Sequence, residues 1–171
     1  MEPTNHFTRS AEPMYQEALR TLEKHFQEME TDGKPIEEGQ RLIEIAEIHL
    51  KMHRISQAEK ELHDAFKVLY GHSNEILKKR NAIPEVIPRI LYEQEHRPTL
   101  VTILQTCITI LEKIAGICRC ASRKREAKKY DKIILILRQD LHEEMIKMSE
   151  PQIIPMKVVG TDFIGIKTTP A

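Results

Sequence analysis

Apolar side chains recur every three or four positions along most of this chain, which is the period of a helix that packs on one face. The first apolar stripe predicts a helix from about Pro13 to Met29. Residues 31–35 indicate a turn, because they combine aspartate, glycine and proline. A second helix is predicted to end near Met52, with a face formed by Leu42, Ile45, Ala46, Ile48 and His49.

Three more helices are predicted downstream. Ser56 and Glu59 have the spacing of a capping box, so Ser56 is the expected N-cap of a third helix that Gly71 would end or bend. Residues 73–96 contain Pro84 and Pro88 and are expected to be less regular. Two further helices are predicted over about 99–118 and 122–148.

The pattern changes after Pro151, where β-type residues and glycines replace the helical stripe. We interpret this stretch as an extended tail rather than a sheet, because a lone strand has no partner. The predicted organisation is a flexible N-terminus (1–11), a helical domain (12–150) and an extended C-terminal tail (151–171). The expected fold class is therefore all-α.

Small residues recur at intervals within the helical stripes. Leu42, Ala46, Ala58 and Ala65 have the spacing with which large and small residues alternate in a tetratricopeptide repeat, and the segment resembles that family. A fainter copy follows about two repeat lengths downstream, where Leu111, Ile114, Ala115 and Ala127 repeat the spacing of Leu42, Ile45, Ala46 and Ala58. The resemblance, closest to the kinesin-light-chain type of repeat, implies antiparallel helix pairs stacked as a short right-handed superhelix. An ordinary helical bundle is the alternative.

Composition narrows the range of functions. The 171 residues carry 26 basic and 26 acidic side chains, so no global field attracts nucleic acid or an anionic membrane. Cys107, Cys118 and Cys120 are an odd, clustered set, which favours a reducing compartment. We expect no signal peptide and no membrane span, and hence a cytoplasmic protein.

Charge is segregated along the chain. Residues 11–48 contain ten acidic and four basic side chains, whereas residues 119–133 contain seven basic and two acidic ones. The basic patch lies at a predicted helix start, where the helix dipole disfavours cations. It comprises Arg119, Arg123, Lys124, Arg125, Lys128 and Lys129. The patch is either a solvated loop and helix start or a binding site for an acidic protein surface, such as the tubulin tails or a nuclear import receptor. Nucleic acid is disfavoured because the patch contains no aromatic residue.

No catalytic pattern is complete. Gly160 and Gly165 have phosphate-loop spacing, but Ile166 stands where lysine is required. His49 and His53 are spaced to share a metal on one helix face, without the glutamate of a metalloprotease. Cys118 and Cys120 have one residue between them instead of two; either remains a candidate reactive thiol beside arginines. We expect no metal, cofactor or catalytic residue.

These observations favour a non-enzymatic adaptor or scaffold within a multi-protein complex. In the repeat interpretation, Ile43, Glu47 and Leu50 line a groove that suits a mixed apolar and basic peptide. The tail is a second binding element, acting on its own groove or on a neighbour. The alternatives are a structural subunit of a cytoskeletal or ciliary assembly and, less favoured, an enzyme with an unrecognised site.

Overall fold

Five helices and a β-hairpin make up the described part of the chain. The computed structural model describes the backbone of residues 6–29, 34–158 and 161–167, and the side chains of 11–25, 27–28 and 34–153. The helices are α1 (His6–Met29), α2 (Pro35–Lys51), α3 (Ile55–Ala82), α4 (Val86–Cys120) and α5 (Lys124–Met148). Strands β1 (Gln152–Val158) and β2 (Thr161–Lys167) follow. The predicted all-α class is confirmed for the body of the protein.

Each helix packs chiefly against the next one along the chain. α2 packs on α3, α3 on α4 and α4 on α5, while α1 contacts α2 less extensively. Short connections between α2 and α3, α3 and α4, and α4 and α5 make these neighbours antiparallel. The helices therefore form a row in which each one packs mainly against its neighbours along the chain.

Small residues let α2 and α3 approach closely. Ala46, Ala58 and Ala65 are fully buried between large apolar neighbours. The backbone of α2 lies close to α3 at Gly39, where an added Cβ would lie 2.6 Å from Cγ of Leu69. In the second copy, Ala115 and Ala127 are also buried. Small buried side chains at these positions allow the helices to pack closely.

α4 supplies most of the remaining core. Twelve of its residues are buried, among them Ile103, Ile110, Leu111 and Ile114. By length and composition alone this helix is apolar enough to cross a membrane, although no run of that kind was expected from the sequence. More than half of its most apolar window, 56%, is buried inside the protein, as in a core helix.

The corners after α2 and α4 have the same backbone geometry. His53 and Ser122 each adopt a positive φ of 59°, which is uncommon for a residue other than glycine. Arg54 N donates to His49 O at 2.8 Å, and Arg123 N donates to Cys118 O at 2.8 Å. The offset from His53 to Ser122 equals the offset between the two sequence copies, so the corner is repeated along with the alanines.

Three helix boundaries differ from the predictions. α1 begins at His6, inside the segment predicted to be flexible, and Pro13 lies within it. α3 begins at Ile55, with Arg54 at the N-cap and no side-chain cap, so the capping-box prediction at Ser56 was wrong. α3 also continues through Gly71, because no neighbouring group needs the space or backbone freedom of that glycine.

The middle of the chain is more regular than predicted. Residues 73–96, expected to be irregular, are helical apart from the break at 83–85. Pro88 falls in the first turn of α4, where no intrahelical donor is lost, and the long helix accommodates Pro98 at its interior. Of the prolines in this region, Pro84 alone lies in a break between helices.

The tail contains two strands instead of one extended segment. β1 and β2 pair antiparallel, from Gln152 with Lys167 to Val158 with Thr161. The prediction of an unpaired tail was wrong, because the segment folds back and each strand satisfies the other's backbone groups. The hairpin contacts α4: Gln94 donates to Ile153 O at 3.1 Å and accepts from Ile153 N at 3.0 Å.

We predict opposite effects of two glycine-to-alanine substitutions. Gly39→Ala should lower the free energy of unfolding by about 1–2 kcal/mol, because the new methyl group overlaps buried Leu69. In Gly71→Ala the new methyl group has no atom within 4 Å. This substitution should raise the free energy of unfolding by up to about 1 kcal/mol, because alanine has the higher helix propensity. Urea unfolding followed by circular dichroism measures both. Equal stabilisation would mean that α2 and α3 do not approach closely at Gly39.

Candidate functional site

A bidentate ion pair joins the first helix pair, α2 and α3, to the second helix pair, α4 and α5. Arg123, at the start of α5, donates to both carboxylate oxygens of Glu59 on α3, at 2.7 and 2.9 Å. The same guanidinium donates to Glu126 at 2.9 Å. The hydrogen bonds from Arg123 are the main reason that the pKa of Glu59 lies below its usual range, although partial burial opposes them. Glu59 in turn raises the pKa of Arg123.

Two further contacts connect the same pairs. The hydroxyl of Tyr130 on α5 lies 3.3 Å from Nε2 of His63 on α3, and burial raises the pKa of Tyr130. Lys113 of α4 forms an ion pair with Glu47 of α2. Polar contacts therefore connect α4 and α5 to α2 and α3, in addition to the apolar core.

The structure divides the predicted basic patch into two groups. Arg119 forms an ion pair with Asp131, and Arg123 is held by Glu59. The side chains of Lys124, Arg125, Lys128 and Lys129 are exposed on the first turns of α5, and no ion pair to them is found among the described residues. The charge available to a partner thus comes from α5.

The predicted groove residues are engaged within the chain. Ile43 and Leu50 are half-buried and pack against the core. Glu47 is exposed but pairs with Lys113. Packing within the chain therefore occupies part of Ile43 and Leu50, and the ion pair occupies Glu47.

A different groove lies between α3, α4 and α5. It is open to solvent and has a volume of about 280 Å³. Its floor is apolar, formed by Leu77, Leu100 and Leu104, and one wall carries carboxylates. The full lining is Tyr70, Ser73, Asn74, Leu77, Arg80, Leu100, Leu104, Asp140, Glu143, Glu144 and Lys147.

The groove lining carries three carboxylates, Asp140, Glu143 and Glu144, against two cations, Arg80 and Lys147. Glu144 pairs with Arg97 and Lys147, whereas no ion pair to Asp140 or Glu143 is found among the described residues. Partial burial, followed by the charges of Glu143 and Glu144, raises the pKa of Asp140. This site was not predicted from the sequence. The available signal was the spacing of Asp140, Glu143 and Glu144, which places three carboxylates on one helix face.

A second cavity, of about 400 Å³, opens on the other side of α5. Two ion pairs border it, Arg119 with Asp131 and Arg138 with Glu112. Its lining also includes the exposed side chain of Leu135. α5 consequently borders one open surface on each side.

One group of metal-type ligands exists among the described residues. Ligand atoms of Glu59, Cys118 and Glu126 lie within 4.8 Å of one another. The guanidinium of Arg123 donates to both carboxylates and supplies the positive charge that this cluster requires. Burial raises the pKa of Cys118, so its thiol is neutral and donates to Glu126 at 3.8 Å.

The two histidines with metal-ligand spacing are separated by the fold. His49 is buried and its Nδ1 lies 2.6 Å from Glu61, whose pKa is raised chiefly by burial. His53 occupies the exposed corner after α2. The two side chains therefore do not share one helix face.

In comparisons with known proteins, no family model, curated protein or solved structure matches the chain. Inference about function consequently starts from the described surfaces.

We predict that the Arg123–Glu59 contact makes stability depend on acid pH. The pKa of Glu59 is lowered by folding, so its contribution should be complete above about pH 5 and lost as the pH falls through the folded-state pKa. Glu59→Gln should unfold at lower urea concentration than wild type at pH 7, with the difference vanishing in acid. Glu126→Gln, which changes a more exposed partner of Arg123, is the control. An equal loss in both variants would contradict the assignment.

We predict that one of the three thiols reacts rapidly in the folded protein. Cys120 is exposed, whereas Cys107 and Cys118 are buried. Burial raises the pKa of Cys107 to about 12 and also raises that of Cys118. A chromogenic disulfide reagent should titrate one thiol quickly in native buffer and three in denaturant. Cys120→Ser should abolish the fast phase, whereas fast reaction at Cys118 would contradict the burial described above.

Proposed function

We propose that this chain is a non-enzymatic adaptor that binds other proteins through tetratricopeptide-like helix pairs. The observation that carries the proposal is the open groove between α3, α4 and α5, with its apolar floor and incompletely balanced acidic wall. Open grooves of this kind suit an extended or helical segment of another protein. A closed cavity with convergent polar groups is the usual arrangement for a small substrate.

The repeated geometry supports the tetratricopeptide-like assignment. The α2–α3 and α4–α5 pairs share buried alanines at equivalent positions and a corner with the same positive φ. Each pair buries one side against its neighbour, as in stacked repeats whose contacts are made mainly between adjacent units. We propose a short right-handed stack with a cytoplasmic location.

The groove favours a segment that combines apolar and basic side chains. Leu77, Leu100 and Leu104 offer apolar contact, and Asp140 and Glu143 have carboxylates that a partner's lysine or arginine can pair. Such a contact would neutralise like charges that lie close together along α5. A mixed apolar and basic segment was also the ligand expected at Ile43, Glu47 and Leu50, but the groove proposed to bind it is a different surface.

The C-terminal hairpin is the second element of the proposed adaptor. Its first strand is anchored to α4 by both hydrogen bonds of Gln94 to Ile153. In this structure the described part of the tail therefore contacts its own chain. We propose that β2 gives a partner an edge strand to extend, because it pairs on one side with β1.

We predict that Asp140→Asn combined with Glu143→Gln weakens binding of a basic helical peptide. The probe is a fluorescein-labelled peptide of about 20 residues with a leucine stripe flanked by lysines. Its dissociation constant, measured by fluorescence anisotropy, should rise about fivefold to tenfold because two attractive charges are removed.

The control for this experiment makes the same charge change elsewhere. Glu12→Gln combined with Glu37→Gln lies on α1 and α2, away from the groove lining, and should change the dissociation constant by less than about twofold. Equal weakening by both double variants would show diffuse attraction and contradict a groove. Absence of binding to wild type would contradict the proposed site directly.

A further inference from the structure

The internal repeat allows the two helix pairs to be compared position by position, with Ala46 and Ala58 aligned on Ala115 and Ala127. In the first pair, Glu59 and His63 of α3 contact the second pair. In the same alignment their equivalents are Lys128 and Lys132 on α5. These lysines therefore occupy the positions through which the first pair meets its neighbour, and both are exposed.

Apolar positions correspond in the same way. Phe66 and Leu77 of α3 are partly buried and pack against the core. Their equivalents are Leu135 and Ile146, which are 64% and 48% exposed. α5 thus retains large apolar side chains at positions that α3 uses for packing, and nothing in the described part of the chain covers them.

Other equivalent positions have become polar. Leu62 and Leu69 are fully buried in α3, whereas Asp131 and Arg138 stand at the matching positions of α5. Both form ion pairs with α4 and border the 400 Å³ cavity. Paired charges at the exposed end of a stack keep it soluble. This surface is consequently compatible with water when free, unlike a permanently buried interface.

We propose that the outer face of α5, defined by Lys128, Lys132, Leu135 and Ile146, reversibly docks an amphipathic helix of a partner protein. That helix carries an apolar stripe flanked by carboxylates. The inference rests on the proposed adaptor function and adds to it a second site with the opposite charge preference from the groove.

Charge identifies the occupant as a different protein. In the first pair the acidic Glu59 meets Arg123, whereas its equivalent in the second pair is the basic Lys128. A second copy that continued the stack with its own arginine would bring two cations together. A second copy docking through its acidic α1 would offer one exposed large apolar side chain, Met14, among the described residues of that helix, and one side chain does not form an apolar stripe. An unrelated amphipathic helix with flanking carboxylates supplies both the apolar stripe and the negative charge that this face requires.

The test uses the full chain and two fluorescein-labelled probes. Both are helical peptides of about 20 residues with the same leucine stripe, flanked by glutamates in one and by lysines in the other. Lys128→Glu combined with Lys132→Glu should weaken the glutamate probe by about tenfold or more and leave the lysine probe's groove affinity within about threefold. Leu135→Asn combined with Ile146→Asn should weaken the glutamate probe with an unchanged circular dichroism spectrum.

The matched control is Arg125→Glu combined with Lys129→Glu. It makes the same charge change on the same helix, at positions equivalent to Ser56 and Lys60, which are exposed in the first pair. The glutamate probe should lose less than about threefold in affinity. Equal weakening by both charge reversals, or none by Lys128→Glu with Lys132→Glu, would overturn the inference.

Two more outcomes separate this site from the groove and from self-association. Asp140→Asn alone should weaken the lysine probe and spare the glutamate probe, so each site fails independently. Glu143 is left unchanged in this variant because it lies one helix turn before Ile146. Sedimentation of wild type should show a monomer. A dimer that dissociates on Lys128→Glu with Lys132→Glu would overturn the inference in favour of a second copy.

Discussion

The architecture depends on how closely α2 approaches α3. Three alanines are fully buried at this contact, and Gly39 leaves no space for a Cβ beside Leu69. Because α2 has 17 residues and α3 has 28, α3 extends well beyond its partner. The extension meets α4 in antiparallel fashion, as the 3.5 Å contact between Arg80 and Glu93 shows. One tight pair thus positions the following helix, and the long α4 then positions α5.

The parts of this arrangement that depend on side-chain size could be predicted from the sequence. Ala46, Ala58 and Ala65 recur at intervals typical of a helix pair, and the echo at Ala115 and Ala127 located the second pair. The offset between the two copies also relates the two corners, whose positive φ falls on His53 and Ser122. Neither residue type demands that conformation, so the repeated corner was not visible in the pattern. Helix packing selected it.

Boundaries and surfaces were harder to predict because they depend on contacts distant in sequence. Pro84 and Pro88 suggested irregular structure, yet Pro88 lies in the first turn of α4, where no intrahelical hydrogen bond is lost. At Pro98, burial of the α4 face outweighs the hydrogen bond lost within the helix. The tail was predicted as unpaired because the return of its second strand was not recognised. Ile43 and Leu50 were expected in an open groove and are instead half-buried against the core. The acidic wall on α5 was missed because α3, which lies far earlier in the chain, supplies the opposite side of the groove.

α5 combines two opposite electrostatic environments on one short element. Lys128 and Lys132 lie near its start, whereas Asp140 and Glu143, which line the groove, lie toward its end. The two groups are separated chiefly along the helix axis, since the eight residues from Lys132 to Asp140 correspond to about 12 Å. The two proposed ligands of opposite charge would therefore contact different ends of α5. In the proposed adaptor, the ion pairs of Asp131 and Arg138 keep the outer surface hydrated when no partner is bound.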